Sequence, residues 1–189
     1  MNIANRLTIA RIILIPVFIV FFYLGNPSGA WIWNILAAVV FVGAALTDLF
    51  DGRLARKRGI VTSFGKLADP IADKLLVCSA LILLAERGWV WGVLVIIMVG
   101  REFIISGLRL IAAAEGLVLA ADTLGKLKTV VQIVAVVMVL LRQGPFVGTS
   151  FETVLFWIGE VLIWASVVLS VWSCVNYFVS NRAVLKKMF

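Results

Sequence analysis

Apolar and polar positions alternate along this chain in long blocks, with no short period. Six apolar segments of helical length can be drawn, at Leu7–Leu24, Ala30–Asp51, Gly65–Ala85, Trp89–Ala114, Gly125–Leu141 and Phe151–Val179. About 20 residues of α-helix cross the hydrocarbon core of a bilayer, and several of these segments reach that length only by taking in polar residues at one end. The pattern predicts an all-α integral membrane protein with six transmembrane helices. Two prolines interrupt it. Pro16 is expected to be an ordinary packing irregularity of the first helix, and Pro70 is expected to mark a kink or a helix start.

Composition agrees with the blocks. Hydrophobic residues make up 63% of the 189 and charged residues 14%, against about 45–50% and about 25% in soluble domains. No soluble core accounts for that excess. The apolar run after Arg6 and Arg11 leads into further apolar segments with no small-residue cleavage site, so a removed signal peptide is not expected. Loops are short and no internal repeat stands out, so residues 1–189 read as one six-helix transmembrane domain.

Charge orients the segments. With the N-terminus placed in the cytoplasm, two of the seventeen lysines and arginines, Arg87 and Arg142, fall on the far side. The rest sit in cytoplasmic segments such as the expected loop Arg53–Arg58 and the tail with Arg182, Lys186 and Lys187. This satisfies the positive-inside rule, with both termini cytoplasmic, and Trp31, Trp33, Trp89 and Trp91 begin helices at the outer interface. The net charge of +7 therefore reflects topology and attraction to anionic membrane lipids, not nucleic-acid binding. Cys78 and Cys174 lie in apolar runs without C-x-x-C spacing and read as packed, reduced thiols. Gly43, Gly92, Gly100 and Gly159 read as places of close helix packing.

The candidate chemistry lies between Asp48 and Asp73, DLFDGRLARKRGIVTSFGKLADPIAD, which holds four of the ten carboxylates. On helices, Asp48 and Asp51 share one face and Asp69 and Asp73 share another. Gly52, Ala55 and Gly65 leave room for a bulky ligand, and Arg56 falls on the stripe of Asp48 and Gly52. A carboxylate at the bilayer centre costs about 2.5–3.5 kcal/mol on the insertion scale, so converging carboxylates need a cation. Oxygen ligands without histidine or cysteine favour a hard ion, Mg2+ or Mn2+. Four carboxylates suffice for two divalent ions that hold phosphate oxygens.

A second group of charges follows on the fourth and fifth segments. Arg101 and Arg109, with Glu102 beside them, lie two helical turns apart, and Lys126 and Lys128 open the fifth helix. Four cations near a metal-phosphate site suggest an anionic acceptor carrying its own phosphate, which arginine grips well. Lys128 reads equally well as a positive-inside topology charge.

The spacing D-x2-D-G-x2-A-R-x8-G-x3-D-x3-D resembles, at every position, the motif of the CDP-alcohol phosphatidyltransferase family. The stretches R-E-F-x3-G-L-R, G-K-L-K-T with Gln132 after it, and the opening N-x2-N-R-L-T-x2-R are similar to its bacterial phosphatidylglycerophosphate synthase branch. The branch often has proline before the asparagine matched by Asn5, where this chain has Ala4. The resemblance implies that Asp48, Asp51 and Asp69 bind metal. It further implies that Asp73 assists them and serves as the general base. Gly52, Ala55, Arg56 and Gly65 would form the CDP-diacylglycerol pocket, with Asn5, Thr8 and Arg11 as further candidates facing the nucleotide.

The implied reaction transfers the phosphatidyl group of CDP-diacylglycerol to sn-glycerol 3-phosphate, releasing CMP. Arg101, Arg109, Lys126 and Lys128 would hold the acceptor phosphate in a polar cavity open to the cytoplasmic side of a bacterial inner membrane. Family members are typically homodimers. Other readings stay open at this stage: another acceptor (an inositol phosphate or phosphatidylglycerol), an intramembrane prenyltransferase, or a magnesium transporter.

Overall fold

The computed structural model describes residues 3–25, 31–58, 63–117, 123–144 and 146–182; within these, the side chains of residues 3–8, 48–58, 63–73 and 123 lie outside the description. Six helices follow one another: α1 (Ile3–Leu24), α2 (Trp31–Arg58), α3 (Ser63–Glu86), α4 (Gly92–Ala114), α5 (Thr123–Arg142) and α6 (Ser150–Ser180). No strand occurs among the described residues. Each apolar block has become one helix. α5 from Leu124 to Arg142 and α6 are long and apolar enough to cross a membrane, and Ile9–Leu24 and Trp31–Thr47 are shorter apolar stretches.

Three local expectations are corrected. Arg53–Arg58 is not a loop, because α2 runs through to Arg58. Arginine, leucine, alanine and lysine are all good helix formers, and cations suit the negative end of the helix dipole. At 28 residues the helix is about 42 Å long, enough to outrun a hydrocarbon core of about 30 Å. Of the kink or helix start expected at Pro70, the helix start is not found, since α3 begins at Ser63 and continues past it. Proline removes one backbone donor, a loss that a helix flanked by neighbours can absorb. Pro16 likewise lies inside α1. Trp89 and Trp91 stand just ahead of α4, with Trp91 at its N-cap position.

The helices pack most extensively as the pairs α1–α2 and α5–α6, and α3 and α5 tie the pairs together. The core between them is apolar and dense. Phe18, Phe41, Leu76, Leu81, Leu84, Met98 and Leu140 are almost wholly buried, and the Phe18 and Phe41 rings meet at 5.6 Å. Large side chains such as Ile96, Phe103, Val161 and Trp172 remain exposed around the outside, as expected of a bundle whose surroundings are themselves apolar.

One end of the bundle collects the turns α3–α4 and α5–α6. There the Arg87 guanidinium lies 5.5 Å from both the Phe22 and Tyr23 rings, Tyr23 donates to Glu86 at 2.7 Å, and Asn34 donates to the Gln143 carbonyl at 2.7 Å. The two arginines assigned to the far side thus share this end.

The glycine expectation holds at one position of four. A Cβ on Gly159 would lie 3.3 Å from Val139 Cγ2, so α5 and α6 close on that glycine. Gly43, Gly92 and Gly100 have nothing within 4 Å of such a Cβ. Their small size meets no packed neighbour in the bundle.

Candidate functional site

The acidic motif spans the last turns of α2 and the first turns of α3, two helices that pack together. The α2 backbone is helical through Asp48, Asp51, Gly52, Ala55 and Arg56, and the α3 backbone through Gly65, Asp69 and Asp73. Their side chains, like those of Asn5 and Thr8 on α1, lie outside the described residues. The described part of the site begins one residue further on, at Lys74.

From Lys74 a narrow cleft, open in part to solvent, lies between α3, α4 and α5. Its polar wall is Lys74, Glu102, Thr129 and Gln132; its apolar wall includes Val77, Cys78, Leu81, Met98 and Val99. The i, i+4 and i, i+7 spacings of Lys74, Cys78 and Leu81 put them on one stripe of α3. Cys78 is a buried thiol within this apolar wall.

Glu102 organises the polar side. Lys128 Nζ of α5 forms an ion pair with Glu102 Oε1, and Arg101 Nη1 meets the same oxygen at 3.1 Å. Arg101 Nη2 reaches across to α6 and donates to Ser173 Oγ at 2.5 Å. Lys128 is 1% exposed. A lysine so far from water keeps its charge only if it is paired, so Lys128 belongs to the interior network.

Gly125 is part of the same geometry, since a Cβ there would come within 3.6 Å of Arg101 Nη2 and 3.8 Å of Ser173 Oγ. Both are ordinary van der Waals distances, so Gly125 simply borders the arginine's path to α6.

Arg109 lies further along α4 and places its guanidinium 5.2 Å from the centre of the Tyr177 ring. Ser173 and Tyr177 are four apart on α6, so Arg101 and Arg109 both turn toward one face of that helix. Lys126 is exposed and no described ion pair includes it. Of the four cations expected to act together, Arg101 and Lys128 are joined through Glu102, Arg109 is held on Tyr177, and Lys126 stays at the surface. Arg11 is buried on α1.

Two participants escaped the sequence reading. Ser173 and Tyr177 sit within the apolar sixth block, and only the packing of α6 on α4 and α5 reveals that they face inward. Ser166, Ser170 and Ser173, all buried, carry a faint signal, because hydroxyls at that spacing mark an inward stripe. Gln132 is 2% exposed, and its Nε2 has no hydrogen-bond partner. Among the described residues no cluster of three acidic or metal-ligating side chains occurs.

Comparison with known proteins covers nearly the whole chain. The family model for CDP-alcohol phosphatidyltransferase matches residues 1–172. A Bacillus subtilis protein named CDP-diacylglycerol–glycerol-3-phosphate 3-phosphatidyltransferase is 40% identical over 194 aligned residues, covering 98% of this chain and 97% of its own length. Proteins of the same name from Rickettsia bellii and Shigella flexneri serotype 5b are 38% and 39% identical. They cover 94% and 97% of this chain, and 93% and 97% of their own lengths.

Proposed function

Since this chain belongs to the CDP-alcohol phosphatidyltransferase family, we propose that it transfers the phosphatidyl group of CDP-diacylglycerol to sn-glycerol 3-phosphate, giving phosphatidylglycerol phosphate and CMP. The observation that carries the acceptor is the joining of Arg101 and Lys128 from two helices at Glu102. It lies at the rim of a cleft that reaches the residue after Asp73. A guanidinium and an ammonium brought together suit a small phosphate monoester.

In this reading the acceptor phosphate rests against Arg101 and Lys128, with Arg109 and Lys126 drawing it in from the surface. Arginine supplies directed donors and lysine a compact charge. The acceptor's terminal hydroxyl turns toward Asp73, which takes its proton. The oxygen then forms a bond to the phosphorus that bears diacylglycerol, and the bond from that phosphorus to CMP breaks. Gly52, Ala55 and Gly65 leave space for the cytidine, and Arg56 meets its phosphates. Asn5 and Thr8 lie on the neighbouring helix as further nucleotide contacts. Val77, Leu81 and Met98 line the cleft with hydrocarbon and keep it poor in water, which strengthens charge interactions inside it.

The aspartate set suits hard divalent ions. Asp48, Asp51, Asp69 and Asp73 offer only oxygen donors, and they come from two consecutive helices that are in contact. They would hold Mg2+ or Mn2+, two ions in all, whose charge would offset that of the diphosphate and of the departing CMP.

We further read the chain as a single domain of six spans in a bacterial cytoplasmic membrane. Both termini and the site face the cytoplasm, and two copies form a homodimer. Fifteen of seventeen basic residues on one side support the orientation.

Purified protein given radiolabelled CDP-diacylglycerol and, separately, glycerol 3-phosphate, inositol phosphate or phosphatidylglycerol tests the assignment. Labelled phosphatidylglycerol phosphate is the expected product. Product from one of the other acceptors alone would redirect the assignment within the family.

A further inference from the structure

Two polar groups in the cleft are left over once the phosphate-binding network is accounted for. Arg101 and Lys128 both meet Oε1 of Glu102. No described hydrogen bond or ion pair reaches Oε2, although Glu102 lines the cleft. On α5, Gln132 stands one turn beyond Lys128 and lines the same cleft, 2% exposed, with its Nε2 unpartnered.

A buried amide donor without a partner is disfavoured and rare in native interiors. Here that donor and the Glu102 carboxylate line one space. A single chemical group satisfies both. A hydroxyl donates its proton to the carboxylate and accepts from the amide N–H. A second phosphate would be repelled by Glu102, and an apolar group would leave the Gln132 amide unpaired.

We propose that Glu102 Oε2 and Gln132 Nε2 together read the secondary hydroxyl of the acceptor, making Gln132 a specificity-determining residue. The inference rests on the acceptor reading above and deepens it. Position selects which hydroxyl is read. Glu102 directly contacts Lys128, which holds the phosphate in that reading, whereas Asp73 precedes Lys74 on the α3 wall. The carbon next to the phosphate-bearing carbon therefore lies against Glu102 and Gln132, and the primary hydroxyl extends toward Asp73. Thr129, whose hydroxyl donates to the Gly125 carbonyl at 3.1 Å, is already engaged and leaves this task to Gln132.

A site built to pair with a substrate hydroxyl discriminates strongly against the analogue that lacks it. The test compares sn-glycerol 3-phosphate with 3-hydroxypropyl phosphate, which keeps the phosphate and the attacking primary hydroxyl but has no secondary one. Wild-type protein should favour glycerol 3-phosphate in kcat/KM by roughly 10- to 100-fold, the range set by one buried donor left unpaired. Gln132→Met should lose most of that preference, chiefly by slowing glycerol 3-phosphate, with the KM for CDP-diacylglycerol unchanged. Equal slowing of both acceptors, or a wild-type protein indifferent to the secondary hydroxyl, would overturn the inference while leaving the acceptor reading intact. Transfer to neither acceptor by the wild type would overturn both. Should Gln132→Met fail to accumulate in membranes, Gln132→Glu, which keeps the shape and removes the donor, is read in the same assay and should lose the same preference.

Discussion

Lys128 of α5 and Glu102 of α4 are bound to each other inside the bundle, and Arg101, next to Glu102 in sequence, is thereby fixed between α5 and α6. One carboxylate holds two cations in place. On the proposed reading this turns basic residues from two helices into a directed anion site.

The pair should be visible in stability. Removing one partner leaves the other charge buried and uncompensated, at about 3–5 kcal/mol. Lys128→Met should lower the thermal midpoint of the detergent-solubilised protein markedly. Combining it with Glu102→Gln should cost less than the sum of the two single changes. Strict additivity in that double-mutant cycle would mean the two residues do not support each other.

At the acidic motif, Asp48→Asn, Asp51→Asn or Asp69→Asn should each abolish CMP release. Asp73→Asn should abolish it as well, yet retain CDP-diacylglycerol in an equilibrium binding measurement, because a proton acceptor is lost while most of the binding groups remain. Near-normal turnover in any one of the four would remove that residue from its assigned role.

Complete chelation should stop turnover, and titrating Mg2+ or Mn2+ back should restore it. A hard, all-oxygen donor set predicts that both ions work. Persistent activity in excess chelator would disprove a divalent requirement.

For the acceptor side, Arg101→Ala and Arg109→Ala should raise the KM for glycerol 3-phosphate by roughly 10- to 100-fold, the worth of a hydrogen bond to a charged group. The KM for CDP-diacylglycerol should change far less. Arg101→Ala should be the more severe, since Arg101 also bridges to Ser173. A change confined to the lipid substrate would place these arginines elsewhere in the reaction.

The close approach of α5 and α6 makes a structural prediction. Gly159→Val should destabilise the protein by about 1–3 kcal/mol, because the new side chain meets Val139 at the helix contact. Gly43→Ala, where nothing stands within 4 Å, should be neutral or slightly stabilising through helix propensity. Thermal unfolding of the two variants side by side distinguishes a packed glycine from an idle one.

The helix count was legible because each helix surrounded by hydrocarbon must be apolar along most of its length, and that requirement is written residue by residue. The Asp48–Asp73 motif was legible too, since four carboxylates at helical spacing beside small residues are improbable without a charged ligand. The run Arg53–Arg58 misled because clustered charge reads as a loop, whereas these residue types extend a helix that has already left the apolar zone. Gly43, Gly92 and Gly100 misled because a small residue looks the same in sequence whether or not a neighbour closes on it.

Sequence by itself thus determined the family, the helical blocks and the acidic motif, all of which depend on residues near one another along the chain. Tertiary structure alone decided that Lys128 is an interior charge, that Ser173 and Tyr177 receive the two arginines, and that Gln132 faces the cleft with a donor to spare. Those facts depend on which faces of α4, α5 and α6 meet. A helix that is apolar nearly all round does not declare its inward face by periodicity; packing selects it.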